Sequence, residues 1–136
     1  MTAPIDGKSY SITYDVRTSY LYACVRGSAG TNELIKAYWN EIANECSQNK
    51  IRKLLVEEEL SRRIDTMSDV YESSADVSVI VGLTGVKVAY VDRDPEHREL
   101  NLFGELVASN RGMYCKAFND FDEAEKWLLS KETNPG

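Results

Sequence analysis

The sequence predicts one α/β domain with a mixed, mostly parallel sheet of five strands and about four flanking helices. Segments whose apolar residues are spaced by two alternate with longer segments spaced by three or four, as in sheets covered by helices. The first two strand-like segments are joined by a short turn and must be antiparallel, whereas helical segments separate the later strands. The predicted order is β-β-α-β-α-β-α-β-α, and 136 residues fit one domain.

An opening hairpin is predicted over residues 10–26, with its turn at 17–19 and its second strand at 20–26. Apolar side chains occupy every second position of its first strand: Tyr10, Ile12, Tyr14 and Val16. Because one face of such a strand is apolar and the other polar, we expect this first strand to be half-buried.

The first helix is predicted to begin after Thr31, which can cap it. Its broad apolar face is formed by Leu34, Ile35, Tyr38, Trp39, Ile42, Ala43 and Cys46. The apolar run at 54–56 then predicts a third strand over residues 51–58. Because helical segments flank this strand in sequence, we expect it to be parallel to its neighbour and buried on both faces.

Residues 68–83 combine two signals. Val77, Val79 and Val81 have strand propensity, yet a parallel connection between the third and fourth strands requires a crossover. We therefore predict a helix here, followed by a fourth strand over residues 86–91.

The third predicted helix lies between Asp94, which can cap it, and Gly112, which suits its C-terminal stop. Pro95 suits its first position. Its predicted inner face comprises Leu100, Phe103, Leu106 and Val107.

A fifth strand is predicted over residues 113–118, and Asp120 with Glu123 has the spacing of a capping box for the last helix. The apolar stripe of that helix comprises Phe121, Ala124, Trp127 and Leu128. The domain is expected to span residues 8–130, with a flexible leader at 1–7 and a flexible tail at 131–136.

Charge and cysteine usage limit the possible partners. The formal net charge is −6, which argues against nucleic acid, and no apolar run is long enough for membrane insertion. Cys24, Cys46 and Cys115 lack metal-ligand spacing and leave one thiol unpaired in any disulfide scheme. We therefore expect a cytoplasmic protein without a metal or another cofactor.

The last third of the chain carries motifs of a known family. They are Val-Ala-Tyr-Val-Asp at 88–92, Phe-Gly-Glu at 103–105, Asn-Arg-Gly at 110–112, and Phe-x-Asp-x-x-Glu-Ala-x-x-Trp-Leu at 118–128. With the element order, they resemble the SpoIIAA-like branch of the STAS superfamily, a group of small uncharacterised proteins. The resemblance covers about residues 10–130. It implies a STAS/SpoIIAA-like fold, but the motifs specify a strand, a cap and a buried helix rather than chemistry.

The same resemblance implies a phosphorylation switch. Anti-sigma-factor antagonists in this superfamily carry an Asp-Ser-Ser-Gly turn after the third strand, with a phosphorylated Ser. The corresponding residues here read Ile-Asp-Thr-Met-Ser at 64–68, without the Gly, so Thr66 and Ser68 are the candidate sites. Alternatively, either hydroxyl caps the helix that follows.

Charged residues cluster after the third and fourth strands, where parallel sheets bind ligands. The candidate ligand or partner surface comprises Glu58, Arg62, Asp92, Arg93, His97 and Arg111. The cluster could serve a cation or acid–base chemistry, or it could be a solvated strand exit with internal ion pairs. Because side chains alternate along a strand, the three glutamates at 57–59 cannot all face one pocket. His97 is expected to be exposed in the first turn of its helix.

A glycine-rich loop precedes the first helix, at Gly27, Ser28, Gly30 and Thr31. Backbone N–H groups at a helix start can hold an anion such as phosphate. The loop lacks the Lys of a P-loop and the spacing of a dinucleotide fingerprint, so a flexible turn explains it equally well.

Three function classes remain. The resemblance favours a non-catalytic regulatory module with a protein partner, and the many aromatics of the first third would suit a homodimer. The alternative is a small-ligand carrier for a lipid or nucleotide, since some relatives are described with CRAL-TRIO-like lipid-binding character. Such a carrier requires a sizeable enclosed pocket between sheet and helices. An enzyme would require a cleft in which at least two of Glu58, Asp92 and His97 converge within hydrogen-bond reach.

Overall fold

Five strands form one continuous sheet in the computed structural model, which describes residues 10–131 except the side chain of Arg62. The strands follow the chain order across the sheet: β1 (Tyr10–Val16), β2 (Leu21–Gly30), β3 (Lys53–Arg63), β4 (Lys87–Val91) and β5 (Tyr114–Phe118). β1 pairs with β2 antiparallel, and every later pair is parallel. The predicted mixed, mostly parallel sheet is confirmed. The predicted leader, and the tail apart from Lys131, lie outside the described residues.

The helices are α1 (Asn32–Gln48), α2 (Met67–Ser74), α3 (Val77–Gly82), α4 (Arg98–Asn110) and α5 (Phe121–Leu129), with a short 3-10 turn at Pro95–His97. The segment predicted as one helix over 68–83 is helical but consists of two helices. The break falls at Asp76, whose side chain accepts a hydrogen bond from the Ser78 backbone N–H and caps α3.

The sheet separates two cores. Parallel connections between neighbouring strands cross over with one hand, so helices that link successive strands lie on the same face. Leu54 and Val56 accordingly face a core shared with α1 and α3, whereas Leu55, between them, faces a second core shared with α5. We call the side of the sheet covered by α1, α2, α3 and α4 the four-helix face, and the side covered by α5 the α5 face. The alternation along β3 therefore decides which side chains can meet under α1, α2 and α4.

The loop predicted at residues 27–31 is wrong as a loop. Gly27, Ser28 and Gly30 belong to β2, because β3 continues beyond its predicted end at residue 58 and supplies a partner as far as Gly30, which pairs with Arg63. Thr31 does cap α1, since its hydroxyl accepts a hydrogen bond from the Leu34 N–H.

The predicted inner face of α4 is partly wrong. Leu106 is 57% exposed, whereas Asn101, Val107 and Ala108 are buried. Asn101 is turned inward by hydrogen bonds to buried charged groups of the sheet, which sets the rotation of the helix. Gly104 lies where α4 approaches α2: a Cβ there would be 3.0 Å from the Ser74 Oγ.

Candidate functional site

A cavity of about 110 Å³ lies between the four-helix face of the sheet and helices α1, α2 and α4. Most of its wall is apolar, and polar groups meet at one end. The apolar wall includes Ile35, Trp39, Val70, Val79, Val88, Leu100, Ala108 and Met113, and the polar end is formed by Tyr38, Glu58, Arg63, Tyr90 and Asn101. A pocket between the sheet and the helices is therefore present, as the carrier class requires, but it is small and partly open rather than sizeable and enclosed.

Glu58 is the carboxyl group at the polar end of the cavity. Strand alternation directs it to the four-helix face, and its side chain is only 2% exposed. The hydroxyl of Tyr38, from α1, donates a hydrogen bond to its Oε2, and Tyr90, from β4, contributes a second hydrogen bond. Burial raises the pKa of Glu58, while Arg63 and the bond from Tyr38 oppose that rise.

Arg63 connects the buried charges at the ends of β3 and β4. Its Nε and Nη2 donate to the two carboxylate oxygens of Asp65 at 2.8 and 2.6 Å, a bidentate pair. Its Nη1 donates to the Asn101 Oδ1 at 2.8 Å and lies 3.6 Å from the Glu58 Oε1 and 3.5 Å from the Asp92 Oδ2. These contacts raise the pKa of the guanidinium despite its burial, so it stays charged.

Asp92 and His97 converge next to Arg63. The Nδ1 of His97 lies 2.9 Å from the Asp92 Oδ2, which also accepts a hydrogen bond from the Asn101 amide at 3.1 Å. The other ring nitrogen, Nε2, lies 3.4 Å from the Asp94 Oδ2. The prediction that His97 is exposed is wrong: its side chain is 17% exposed because the 3-10 turn folds it back onto Asp92. This pair converges within hydrogen-bond reach, but it does so outside the cavity, since neither residue lines it; the cleft that the enzyme class requires is not formed by this cavity.

The neighbouring glutamates face away from the cavity, as alternation predicts. Glu57 accepts hydrogen bonds from the Tyr22 hydroxyl at 2.6 Å and the Arg93 Nε at 2.6 Å on the α5 face. Glu59 pairs there with Arg26 at 2.8 Å. The internal ion pairs predicted for the end of β3 are therefore present. The prediction that this end of the strand is solvated is wrong for Glu57 and Glu58, which are both buried.

Other predicted site residues lie apart from the cavity end. Arg111 follows α4 and donates from Nη2 to the Tyr71 hydroxyl at 2.7 Å on the exposed side of α2. Arg62 pairs through its backbone with Ala29.

Thr66 is the N-cap of α2 in a full capping box: its hydroxyl accepts a hydrogen bond from the Asp69 N–H, and the Asp69 carboxylate accepts one from the Thr66 N–H at 2.9 Å. Ser68 is exposed in the first turn.

The cysteines are free thiols. Burial raises the pKa of Cys46 to about 12 and that of Cys115, which borders the cavity, to about 11. Burial also raises the pKa of Cys24. Each thiol is therefore protonated at neutral pH and a poor nucleophile.

Sequence reasoning missed Tyr38, Arg63, Tyr90 and Asn101. In the sequence, Tyr38 belongs to the apolar face of a helix and Tyr90 to a buried strand, so neither pattern marks its tyrosine as a site residue. Asn101 offered one: an amide beside the apolar stripe of a helix needs buried partners. Arg63 could be identified as a site residue only once β3 was known to extend from residue 58 to Arg63.

No helix within residues 10–131 is both long and apolar enough to cross a membrane. In the same part of the chain, no three His, Cys, Asp or Glu side chains are grouped so that they could hold a metal ion.

No family model and no curated protein matches the chain. Among solved structures, it is similar to an uncharacterised DUF3478-family protein with a SpoIIAA-like fold from Shewanella loihica PV-4, at 14% identity over 95% of this chain and 99% of that one, with a TM-score of 0.52.

Two further matches, each at 12% identity over 87% of this chain, are the anti-sigma factor antagonist SpoIIAA in its unphosphorylated form (97% of that chain, TM-score 0.42) and the Bacillus cell fate determinant SpoIIAA in its phosphorylated form (99%, TM-score 0.44). The likeness to the Shewanella protein shows the fold alone, and it confirms the predicted SpoIIAA-like fold.

Proposed function

We propose that this protein is a non-catalytic regulatory module that binds a small, mostly apolar ligand in the cavity under α1, α2 and α4. The partly open cavity carries this proposal. Its volume of about 110 Å³ is of the same order as the engineered apolar cavity of about 150 Å³ that binds benzene. A mostly apolar wall with a few convergent polar groups is the usual composition of a ligand site.

The volume of the cavity also limits the size of the ligand. Pockets for drug-sized ligands measure roughly 300–1,000 Å³, and this cavity holds about 110 Å³. It therefore suits a single ring or a short branched chain better than a whole nucleotide or a lipid with its acyl chains, the two ligands considered for a carrier.

The arrangement around His97 supports a binding role over a catalytic one. Both ring nitrogens face carboxylates, Asp92 at 2.9 Å and Asp94 at 3.4 Å, rather than the cavity. A general base must reach the proton that it abstracts. The three thiols are protonated at neutral pH, so none of them is available as a nucleophile. The three free thiols also suit a reducing compartment, and we place the protein in the cytoplasm on that ground.

Tryptophan fluorescence tests ligand binding directly. Trp39 borders the cavity, whereas Trp127 packs with Tyr114 on the α5 face. The Trp127→Phe variant leaves Trp39 as the single tryptophan, and we expect its emission to change saturably when a small aromatic alcohol such as benzyl alcohol is added.

The matched control is Trp39→Phe, whose remaining Trp127 should not respond. Introducing Ala108→Leu into the Trp127→Phe protein fills the cavity wall and should abolish the response. An unchanged Trp39 signal across millimolar concentrations of single-ring ligands would refute the proposal.

A second candidate function is binding of a protein partner at the start of α2. Ile64, Met67 and Tyr71 are 49%, 45% and 47% exposed there, next to Thr66 and Ser68. The opposite side of α2 supplies Val70 to the cavity wall, so a bound ligand would touch the helix that carries this surface. Homodimerisation through the same surface is one form of this proposal.

Ser68 is the better of the two proposed phosphorylation sites. A phosphate on Thr66 would break the capping box and face the Asp69 carboxylate, whereas Ser68 lies in the first turn, where backbone N–H groups favour a dianion. Phosphopeptide mass spectrometry of the protein from its native cells should find the modification on Ser68. Finding neither residue modified under varied growth conditions would count against a phosphorylation switch.

A further inference from the structure

The charged side chains around the cavity are not balanced. The described residues on its wall include two carboxylates, Glu58 and Glu105, and two cations, Arg63 and Lys116. The Lys116 ammonium lies 5.6 Å from the Phe118 ring centroid, and that ring belongs to the core on the α5 face. Lys116 therefore directs its charge away from the cavity.

Arg63 neutralises Glu58 only in part, because its single positive charge is shared with Asp65 and Asp92. Its Nε and Nη2 are held by Asp65 in a bidentate pair, and its remaining nitrogen donates to Asn101 at 2.8 Å. The distance from Nη1 to the Glu58 carboxylate is 3.6 Å, beyond a hydrogen bond. Asp92 draws on the same nitrogen at 3.5 Å. The carboxyl group of Glu58 is thus left with tyrosine hydroxyls as its hydrogen-bond donors.

Glu105 forms no ion pair with any cation among residues 10–131 that the structure describes. Its Oε1 accepts a hydrogen bond from the backbone N–H of Ala117 at 2.7 Å, which fixes the carboxylate between α4 and β5. Glu105 therefore adds to the negative charge that a ligand would meet.

Three aromatic rings surround the Glu58 end of the cavity. Tyr38 and Trp39 have ring centroids 5.5 Å apart, and Trp39 and Tyr90 have centroids 6.0 Å apart. All three border the cavity. Aromatic faces attract cations, most strongly when the cation is removed from water.

We propose that the cavity selects a small organic cation, an ammonium or amidinium group on an apolar body of about one ring, with the positive charge placed against Glu58 and the faces of Tyr38, Trp39 and Tyr90. This deepens the proposed ligand binding and rests on it. A carboxylate or phosphate ligand of the same size would meet two carboxylates and a guanidinium whose charge is already shared by Glu58, Asp65 and Asp92, so we expect it to bind more weakly than a cation or a neutral ligand.

The test uses three ligands that share one ring and differ in charge: benzylamine, benzyl alcohol and benzoate. Their affinities for the full chain are measured by isothermal titration at pH 7 and low salt. We expect benzylamine to bind at least about tenfold more tightly than benzyl alcohol, in line with the greater strength of charge-assisted hydrogen bonds, and benzoate to bind more weakly than both.

Two glutamine variants locate the selectivity. Glu58→Gln keeps the size and removes the negative charge, so it should reduce the preference for benzylamine over benzyl alcohol to about twofold or less. Glu59→Gln, the neighbour that faces the opposite side of the sheet, should leave the preference unchanged. Circular dichroism on both variants checks that they fold.

The outcomes separate the two proposals. If no ligand binds, the cavity is not a ligand site, and the proposed function and this inference both fail. If benzyl alcohol binds as tightly as benzylamine, or benzoate binds most tightly, the ligand site stands and its selection for a cation is refuted. The wild-type ligand series alone decides this, even if Glu58→Gln fails to fold.

Discussion

Arg63 shows how single residues hold the candidate site together. A buried guanidinium is costly to desolvate and is retained only where good geometry compensates it. Here one side chain joins Asp65 beyond β3, Asp92 beyond β4 and Asn101 of α4. Its alignment with Asp65 in particular is bidentate, so loss of the guanidinium would leave buried carboxylates without their partner.

Arg63→Met should therefore lower the free energy of unfolding by about 3–5 kcal/mol, the usual cost of removing one partner of a buried ion pair. The matched control is Arg26→Met: Arg26 and Glu59 form a pair whose side chains are 59% and 40% exposed, and such pairs contribute about 1 kcal/mol or less. Urea unfolding measures both. Equal effects of the two substitutions would show that Arg63 has no special structural role.

The burial of Glu58 leads to a prediction about how the stability of the fold depends on pH. Because burial raises its pKa in the folded state, the folded chain binds this proton more tightly than the unfolded chain does. The resulting stability is fully present below the unfolded pKa of about 4.3 and is lost as the pH rises through the folded pKa.

Glu58→Gln is neutral at every pH and cannot lose that stability. Its free energy of unfolding relative to wild type should thus increase with pH above about 4.3, by at most about 1.4 kcal/mol per pH unit. Urea unfolding series between acid and neutral pH would measure this. A difference that stays constant or decreases would contradict the raised pKa.

At the scale of elements, the sequence located every strand but not every boundary. Apolar periodicity identifies segments that are buried, whereas strand ends depend on a partner: β2 and β3 extend each other to Gly30 and Arg63. The predicted inner face of α4 is wrong at Leu106 for a related reason. The apolar pattern of the helix does not include Asn101, whose buried hydrogen bonds fix the rotation of the helix.

The contact between α1 and α3 gives a prediction at this scale. A Cβ at Gly82 would lie 2.9 Å from the Cβ of Ala43, so Gly82→Ala should destabilise the fold by about 1–3 kcal/mol through overpacking. The Ala43→Gly substitution removes the opposing methyl group. The double variant should therefore be more stable than the sum of the two single effects by at least about 1 kcal/mol in urea unfolding. Additive effects would mean that the helices separate freely at this contact.

At the scale of the whole molecule, topology was the most predictable property and the cavity the least. Short and long connections determine which strands are antiparallel and which are parallel, so the element order follows from spacing along the chain. A cavity depends on the distances between α1, α2, α4 and the sheet, and those distances depend on contacts between segments far apart in sequence, such as Gly104 against Ser74. The polar end of the cavity likewise combines Tyr38, Glu58, Arg63 and Asn101 from separate elements.

The central claim, that a small ligand binds inside this cavity, is tested most directly by nuclear magnetic resonance on the protein with benzylamine. We expect intermolecular nuclear Overhauser effects from the ligand ring to methyl groups of Val70, Val79, Val88 and Ala108, which line the cavity on α2, α3, β4 and α4. These effects should be lost in Ala108→Leu. Effects confined to exposed methyl groups, or unchanged in the filled variant, would contradict it.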